Sequence, residues 1–475
     1  MSTSWGKHVR TVRWAGLDLA KGGIASGGRR AALTLLDQGL ASLSNFSVGV
    51  VVARVAGAAG LGGFALAYAG WQLMAAMHRA LVIDPMAIEG DAGNANATEG
   101  IRRGLAADIL LGITGAVDLA ALGVLLIAVG QNTFGTAVVA MAPWLPILTV
   151  QDYWRWMGFL GGRPGRALTN DIVFNCAQGA AIALIIATHV HSVTAVIASW
   201  GIGGVVGALF GLRQYRVFPS LGGGLALLRA RWSFSKWIAA NQLVGSGHTQ
   251  LSVVIAGAIL GPVGLGGFKA AQALVVGPAG VLIQAGGSIG LPEASRAYAE
   301  RQWPGLIRVA RWVTSSGVTG IVLTVAIIAI WGKTLLSLLY GPTFAHFHVA
   351  AFLIGIGFVL SGFTLGPILV LKATRGTHWL FHTQLVTMVV ALSSVASLSF
   401  AYGVTGAAIA TIISTGVTVA CLRVFQRRAR RSLRPRSTAG PGALAGAGAA
   451  VFHSPAKTSG GSTSGPTPPG SSVRT

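Results

Sequence analysis

The amino-acid sequence predicts an all-α integral membrane protein in which twelve transmembrane helices form two pseudo-symmetric six-helix bundles. Hydrophobic residues make up 53% of the 475 residues and charged residues only 10%, whereas an ordinary soluble domain carries about 25% charge. The apolar residues are grouped in runs long enough to cross a bilayer. An internal repeat predicts that the chain consists of two similar halves.

The repeat relates residues 37–64 to residues 241–268, which read DQGLASLSNFSVGVVVARVAGAAGLGGF and NQLVGSGHTQLSVVIAGAILGPVGLGGF. Nine of the 28 aligned positions are identical, and five of these form the run GLGGF that ends each copy. A proline follows each copy, at Pro85 and at Pro292. In a membrane chain, such a repeat indicates a transporter built from two like halves.

Each predicted span is an apolar run close to the 20 or so residues that cross the hydrocarbon core. The first half contains spans at 35–56, 62–83, 107–129, 133–158, 169–189 and 192–212. The second half contains spans at 237–260, 265–290, 308–331, 346–371, 379–401 and 404–424.

Basic residues orient the chain, because Lys and Arg accumulate in cytoplasmic loops. Most loop arginines fall on one side of the predicted topology, and Lys333 is the clear exception. We therefore predict a multi-pass protein of the cell membrane with both termini in the cytoplasm. The predicted parts are a cytoplasmic N-terminal segment (1–34), an N-terminal lobe (35–212), a cytoplasmic connector (213–236), a C-terminal lobe (237–430) and a disordered cytoplasmic tail (431–475).

Several kinds of chemistry find no support in the sequence. The formal charge of +23 is dispersed through loops beside apolar segments, unlike the clustered basic face of a nucleic-acid-binding protein. Cys176 and Cys421 lie in apolar runs of different halves, which predicts neither a disulfide nor a metal site. There is no phosphate-binding G-x-x-x-x-G-K-[ST] loop. We expect no catalytic residue, no cofactor and no nucleic-acid partner.

Polar residues at matching places in the two halves are candidates for lining a substrate cavity. They are Asp37, Gln38 and Asn45 in the first span, and Asn241, Gln242 and Gln250 in the seventh. A cavity shared between the halves would explain both sets, and so would hydrogen bonds between helices.

Two basic residues lie toward the outer ends of their helices, Arg54 and Lys269. Either could hold a phosphate group in the cavity. Either could instead extend to the lipid headgroups, as long basic side chains do.

Asp118 lies near the middle of the third span, where a charge costs about 2.5–3.5 kcal/mol. Small residues dominate its helix face, which predicts that it points toward a packed neighbour or a cavity. It is a candidate ion-coupling carboxylate, or a buried Asp that is bonded to another helix.

The segment between the fourth and fifth spans contains a charged group. Asp152 and Arg155 form an i,i+3 pair, and Asn170 or Asp171 is placed to cap the fifth helix. We expect Asp152, Arg155 and Asp171 to form either a rim that fixes two helices or a cytoplasmic substrate gate.

Several motifs carry a resemblance to a known superfamily. They are D-Q-x-x-x-S-x-x-N-F at residues 37–46, Ala53-Arg54 with the following GLGGF, and Gln151-Asp152-Tyr153-Trp154-Arg155 with Gly162-Arg163-Pro164. In these motifs and in its twelve spans, the chain resembles the multidrug/oligosaccharidyl-lipid/polysaccharide (MOP) exporter superfamily. Within that superfamily it looks like the polysaccharide-export, or Wzx-like, branch.

The resemblance implies a MATE/MOP-like flippase that moves an undecaprenyl-pyrophosphate-linked oligosaccharide across the membrane by alternating access. Membrane lipids, this lipid-linked substrate and other polysaccharide-assembly proteins would be its partners. The main alternative is a drug/cation antiporter of the same fold, with Asp37 and Asp118 as coupling carboxylates. A basic, amide-rich cavity would favour the flippase, and an acidic one the antiporter. A membrane glycosyltransferase or polymerase is disfavoured because no loop is long enough for its catalytic residues, and an inert scaffold leaves the repeat unexplained.

Overall fold

The computed structural model describes residues 24–89, 97–220, 222–374 and 376–432, and all regular structure within them is helical. The helices are α1 (Ile24–His78), α2 (Asp84–Glu89), α3 (Ala97–Ala128), α4 (Asn132–Met141), α5 (Leu145–Leu160), α6 (Pro164–Ala187), α7 (Val193–Tyr215), α8 (Gly223–Gln242), α9 (His248–Tyr340), α10 (His348–Gly362), α11 (Leu365–Ala373) and α12 (Thr377–Ser432). The described residues through Arg427 form one unit, and residues 428–432 belong to a second. Most of the predicted segments 1–34 and 431–475 lies outside the described residues.

Nine helical stretches of the described chain are long and apolar enough to cross a membrane. Three of them, with 58, 61 and 53 residues, are more than twice as long as one crossing requires. Each of these three contains a glycine with positive φ, namely Gly57 (67°), Gly261 (69°) and Gly403 (59°). Since positive φ interrupts a right-handed helix, each glycine ends one span and begins the next. The predicted fold class is confirmed, and the described residues supply the twelve spans.

The two GLGGF copies meet where α1 contacts α9, the pair of described helices with the most extensive contact. Gly62 and Gly266 occupy the same position in the two copies. A Cβ atom on Gly62 would overlap the carbonyl of Pro262, and one on Gly266 would overlap the carbonyl of Ala58. Glycine at both positions therefore lets the backbones of the two halves approach each other.

Buried apolar clusters show which ends of the halves are joined. The largest cluster contains Leu61 of the first half together with Phe268 and Tyr340 of the second. These residues lie at the predicted outer ends of their helices. Toward the predicted cytoplasmic ends, the cluster around Trp154 contains residues of the first half and of the connector, and the cluster around Leu369 contains only second-half residues. The halves thus share a core at the predicted outer ends and have separate cores at the predicted inner ends.

Replacing either central glycine should open the outer contact. In Gly62→Ala and Gly266→Ala, a methyl group has no room beside the facing carbonyl, so the outer ends should separate. We expect a cysteine in place of Ser42, between the halves, to react with an impermeant maleimide added from the outer side. Cys176 and Cys421 are replaced by serine for this measurement.

Gly416→Ala is the matched control, because a Cβ there meets no atom within 4 Å. The Ser42→Cys reporter should stay unlabelled in the control. Equal labelling in the control and in the two test variants would contradict the assignment of Gly62 and Gly266 to an outer closure.

Candidate functional site

A cavity of about 340 Å³ lies between the two halves. Its walls come from α1 and α7 of the first half and from α9 of the second. Phe64 and Ala65 are on the wall, directly after the glycines of the first copy, and Lys269 directly follows the second copy. The close approach of the glycines therefore fixes the position of this cavity.

Lys269 is the one charged side chain among the described residues of the cavity wall. Its Nζ donates a hydrogen bond to Oε1 of Gln272 at 2.8 Å. Asn45 adds a second amide to the wall, and Tyr68 and Trp200 place their ring centroids 5.4 Å apart. Most of the wall is apolar, and its polar part is cationic and amide-bearing, with aromatic rings beside it and no carboxylate among the residues described.

The repeat register relates several of these residues. Ala65 is equivalent to Lys269, and Tyr68 is equivalent to Gln272, through the same shift of 204 residues. All four residues line the cavity. Extending the repeat by one helical turn beyond GLGGF would have found Tyr68 and Gln272. Nothing in the sequence pattern indicates Trp200, which tertiary packing brings to the wall.

Only some of the polar residues that were predicted to line a cavity lie on the wall of this one. Asn45 and Lys269 line it, whereas Gln38, Asn241, Gln242 and Gln250 do not. These four are partly or fully exposed and lie on parts of α1, α8 and α9 farther toward the inner ends. Their place on a cavity that is open toward the inner ends stays a prediction.

Asp37 was also expected on the cavity wall, and this expectation is wrong. Its side chain is fully buried and pairs with Arg155, whose Nη2 lies 2.6 Å from Oδ2 of Asp37. Nε of Arg155 also lies 3.0 Å from Oδ2 of Asp171, and its Nη1 lies 3.7 Å from Oδ1 of Asp152. A buried carboxylate requires a cation, so Asp37 turns toward the guanidinium inside its own half.

His78 and Asp108 extend this buried group of charges. Both are fully buried, with Nδ1 of His78 in contact with Asp108 and Nε2 of His78 3.4 Å from Oδ2 of Asp152. An imidazolium donates to both carboxylates, whereas a neutral imidazole has a single N–H. Asp108 was not among the residues predicted from the sequence, although it also lies in a predicted span, where a charge is costly, as Asp118 does.

The predicted cap of the fifth helix is wrong as well. The helix α6 begins at Pro164, with Arg163 at its N-cap position, so Asp171 is about two turns inside it. Nε2 of Gln151 donates to Oδ1 of Asn170 and to Oδ1 of Asp171, at 3.0 Å each. The residues of the proposed gate thus join α1, α5 and α6 through buried bonds, which favours a structural role.

Arg54 lies at the junction of the two halves and not on the cavity wall. Its Nε donates to the carbonyl of Leu339 at 2.8 Å, and its Nη2 contacts the carbonyl of Leu338. These carbonyls belong to the last turn of α9, which ends at Tyr340 and has no intrahelical donors for them. Arg54 therefore ties the outer end of the first half to that of the second.

Asp118 does not pack against a neighbouring helix, and it is not on the wall of the cavity between the halves. It is exposed, as are Thr114, Ala121 and Leu122 on the same face of α3. The small residues around it led to the wrong expectation, because small side chains occur on exposed helix faces as well as on packed ones.

Comparison with known proteins shows the fold. No family model and no curated protein matches the chain. An inward-facing structure of a multidrug resistance MATE family transporter of the MOP superfamily matches with a TM-score of 0.67 and 14% identity, over 82% of this chain and 96% of that one. An outward-facing structure of such a transporter matches with a TM-score of 0.59 and 16% identity, over 86% and 96%. The chain has the fold of these MATE family transporters.

A MOP superfamily transporter from Pyrococcus furiosus, whose binding pocket is described as having reverse polarity, also matches. Its TM-score is 0.57 at 15% identity, over 85% of this chain and 96% of that one. Pockets of opposite polarity therefore occur on this fold.

Removing the central cation of the buried group should destabilise the first half. Arg155→Met leaves Asp37 and Asp171 buried without a counter-charge, which should lower the free energy of unfolding by about 3–5 kcal/mol. Denaturant unfolding of the purified protein in detergent measures this. Adding Asp37→Asn should recover part of the loss. Arg163→Met, at an exposed position, is the control, and a loss equal to that of the control would refute the role of Arg155.

Proposed function

We propose that the chain is a transporter of the cell membrane that flips an undecaprenyl-pyrophosphate-linked oligosaccharide by alternating access. The observation that carries the proposal is the chemistry of the cavity between the halves. Lys269 supplies the one charge on the described wall, and amides and aromatic rings supply the rest of its recognition groups. A cavity of this kind suits an anion attached to a sugar.

Each part of such a substrate has a matching group. The pyrophosphate is anionic and would accept charge-assisted hydrogen bonds from the Lys269 ammonium. The amides of Asn45 and Gln272 suit sugar hydroxyl groups, and the rings of Tyr68 and Trp200 offer apolar faces to the sugar ring. The undecaprenyl tail is far too long for a cavity of about 340 Å³ and would remain in the bilayer during transport.

The arrangement of the cores supports an inward-facing resting state. The halves share a buried core at the predicted outer ends and have separate cores at the inner ends. The TM-score is also higher with the inward-facing relative than with the outward-facing one. Outward opening would require the Gly62–Gly266 approach and the Arg54 bonds to be released. Other polysaccharide-assembly proteins would supply and receive the substrate.

A drug/cation antiporter is the second candidate, because the matching solved structures include multidrug resistance MATE family transporters. That function requires a carboxylate where a cation binds. Three carboxylates of the first half, Asp37, Asp152 and Asp171, are instead paired with Arg155. Asp118 is exposed and is not on the cavity wall, which carries a lysine. The lipid-linked sugar therefore fits the cavity better than a cationic drug does.

Removing or reversing the charge of Lys269 distinguishes the flippase from the antiporter. Lys269→Gln should reduce flipping of a lipid-linked oligosaccharide in proteoliposomes by about tenfold or more, because removing a charged hydrogen-bond partner costs about 1.5–3 kcal/mol. Lys269→Glu should abolish it, because a carboxylate repels the pyrophosphate.

Lys333→Gln is the matched control, since Lys333 is an exposed lysine near the outer end of α9 and is not on the cavity wall. It should flip the lipid at the wild-type rate. Two results would favour the antiporter. One is that Lys269→Glu flips the lipid-linked oligosaccharide at the full rate. The other is that the wild type exports cationic dyes and Lys269→Glu exports them faster.

A further inference from the structure

A second cavity, of about 800 Å³, lies within the second half. It lies between the first turns of the span Trp303–Tyr340, residues near the start of α11, and the last turns of α12. It shares no residue with the cavity between the halves. We call it the arginine groove, because Arg308, Arg311 and Arg423 all line it.

The three arginines have no counter-ion among the described residues. None of them forms a hydrogen bond or an ion pair with another side chain or carbonyl of the described chain, and all three are exposed. The sequence explains this, because no Asp or Glu occurs after Glu300. Glu293 pairs with Arg296 of its own helix. Three cations at one groove therefore attract an anion from outside the protein.

The side chains that line the groove change from charged to apolar along the helix axis. Arg308 and Arg311 are one turn apart at the start of the membrane-spanning part of α9, and Val318 is about two turns deeper. Phe363 of the neighbouring segment is also on the apolar part of the wall. Trp312, which lines the groove too, is 62% exposed, as expected for an aromatic residue at the headgroup level.

This change from charged to apolar matches one leaflet of the bilayer. Arg308 and Arg311 begin one span, and Arg423 ends another, so all three lie at the same membrane face. This is the predicted cytoplasmic face. A lipid that enters from that leaflet meets guanidinium groups at the depth of its phosphate and apolar side chains at the depth of its acyl chains.

We propose that the arginine groove is a binding site for the phosphate headgroup of an anionic phospholipid of that leaflet. Guanidinium groups suit the site because each can give two parallel hydrogen bonds to a phosphate. The acyl chain lies against Val318 and Phe363 and distinguishes the lipid from free phosphate. The site does not depend on the transported substrate, so this inference goes beyond the proposed function.

Lipid retention by the purified full-length protein tests the proposal. The protein is equilibrated in detergent with phosphatidylglycerol and phosphatidylcholine, and the bound lipid is counted by native mass spectrometry. The wild type should retain phosphatidylglycerol in preference to phosphatidylcholine. Each arginine is worth about fivefold in affinity, so the triple variant Arg308→Gln, Arg311→Gln and Arg423→Gln should lose binding by on the order of a hundredfold.

A matched control removes the same charge elsewhere. Arg163, Arg213 and Arg229 are exposed arginines outside the groove, at the same predicted face, and their triple Gln variant should retain the lipid. The triple Lys variant of the groove keeps the charge and should bind with intermediate affinity. Binding by this variant would show that substitution of the three arginines does not by itself unfold the protein. Size-exclusion chromatography checks the folding of every variant.

Three results would overturn the proposal. Equal retention by the groove variant and the control variant would remove the groove as the site. Displacement of the lipid by millimolar inorganic phosphate would identify a free-anion site. Preference for undecaprenyl pyrophosphate over phosphatidylglycerol would make the groove a substrate site. Lys269→Gln should leave lipid retention unchanged, so failure here is distinct from failure of the proposed function.

Discussion

The contact between Gly62 and Gly266 is the constraint on which the arrangement of the two halves depends. Each glycine lies against a backbone carbonyl of the other half, at a separation that no side chain permits. Association of helices in lipid relies on such close approaches, because apolar burial provides little driving force between them. The contact explains why GLGGF is present twice, since the pseudo-symmetry of the halves brings equivalent residues together. Where this contact lies, α1 and α9 share one core.

Charge is distributed according to this arrangement. The cavity beside the glycines carries Lys269, whereas the carboxylates Asp37, Asp152 and Asp171 are gathered around Arg155 inside the first half. The second half has no acidic residue after Glu300. Carboxylates are therefore used to hold helices of the first half together, and the cations of the cavity and of the arginine groove are left for ligands. This division favours an anionic substrate over a cationic one.

The sequence was sufficient for the fold class, because apolar length and loop charge depend on the bilayer and not on tertiary contacts. It identified the repeat and placed Asn45 and Lys269, which line the cavity. The sequence did not predict the surroundings of Asp37. Helical periodicity shows which face of the helix carries a residue, but it does not show whether that face packs against the same half or against the other half. The sequence failed at Asp118 because small neighbours do not distinguish a packed face from an exposed one. Arg155, which binds Asp37 from another helix 118 residues away, could not be assigned this partner by spacing.

Distances between spin labels on the two halves test the central claim, that the halves alternate between closure at Gly62 and Gly266 and closure at the inner ends. One pair of labels is placed on exposed outer positions, Asn132 and Thr343, and a second pair on exposed inner positions, Arg163 and Lys372. We predict a short distance between the outer labels in lipid without substrate. Adding lipid-linked oligosaccharide should produce a population with a longer outer and a shorter inner distance. Distances that stay fixed, or that lengthen at both ends together, would contradict it.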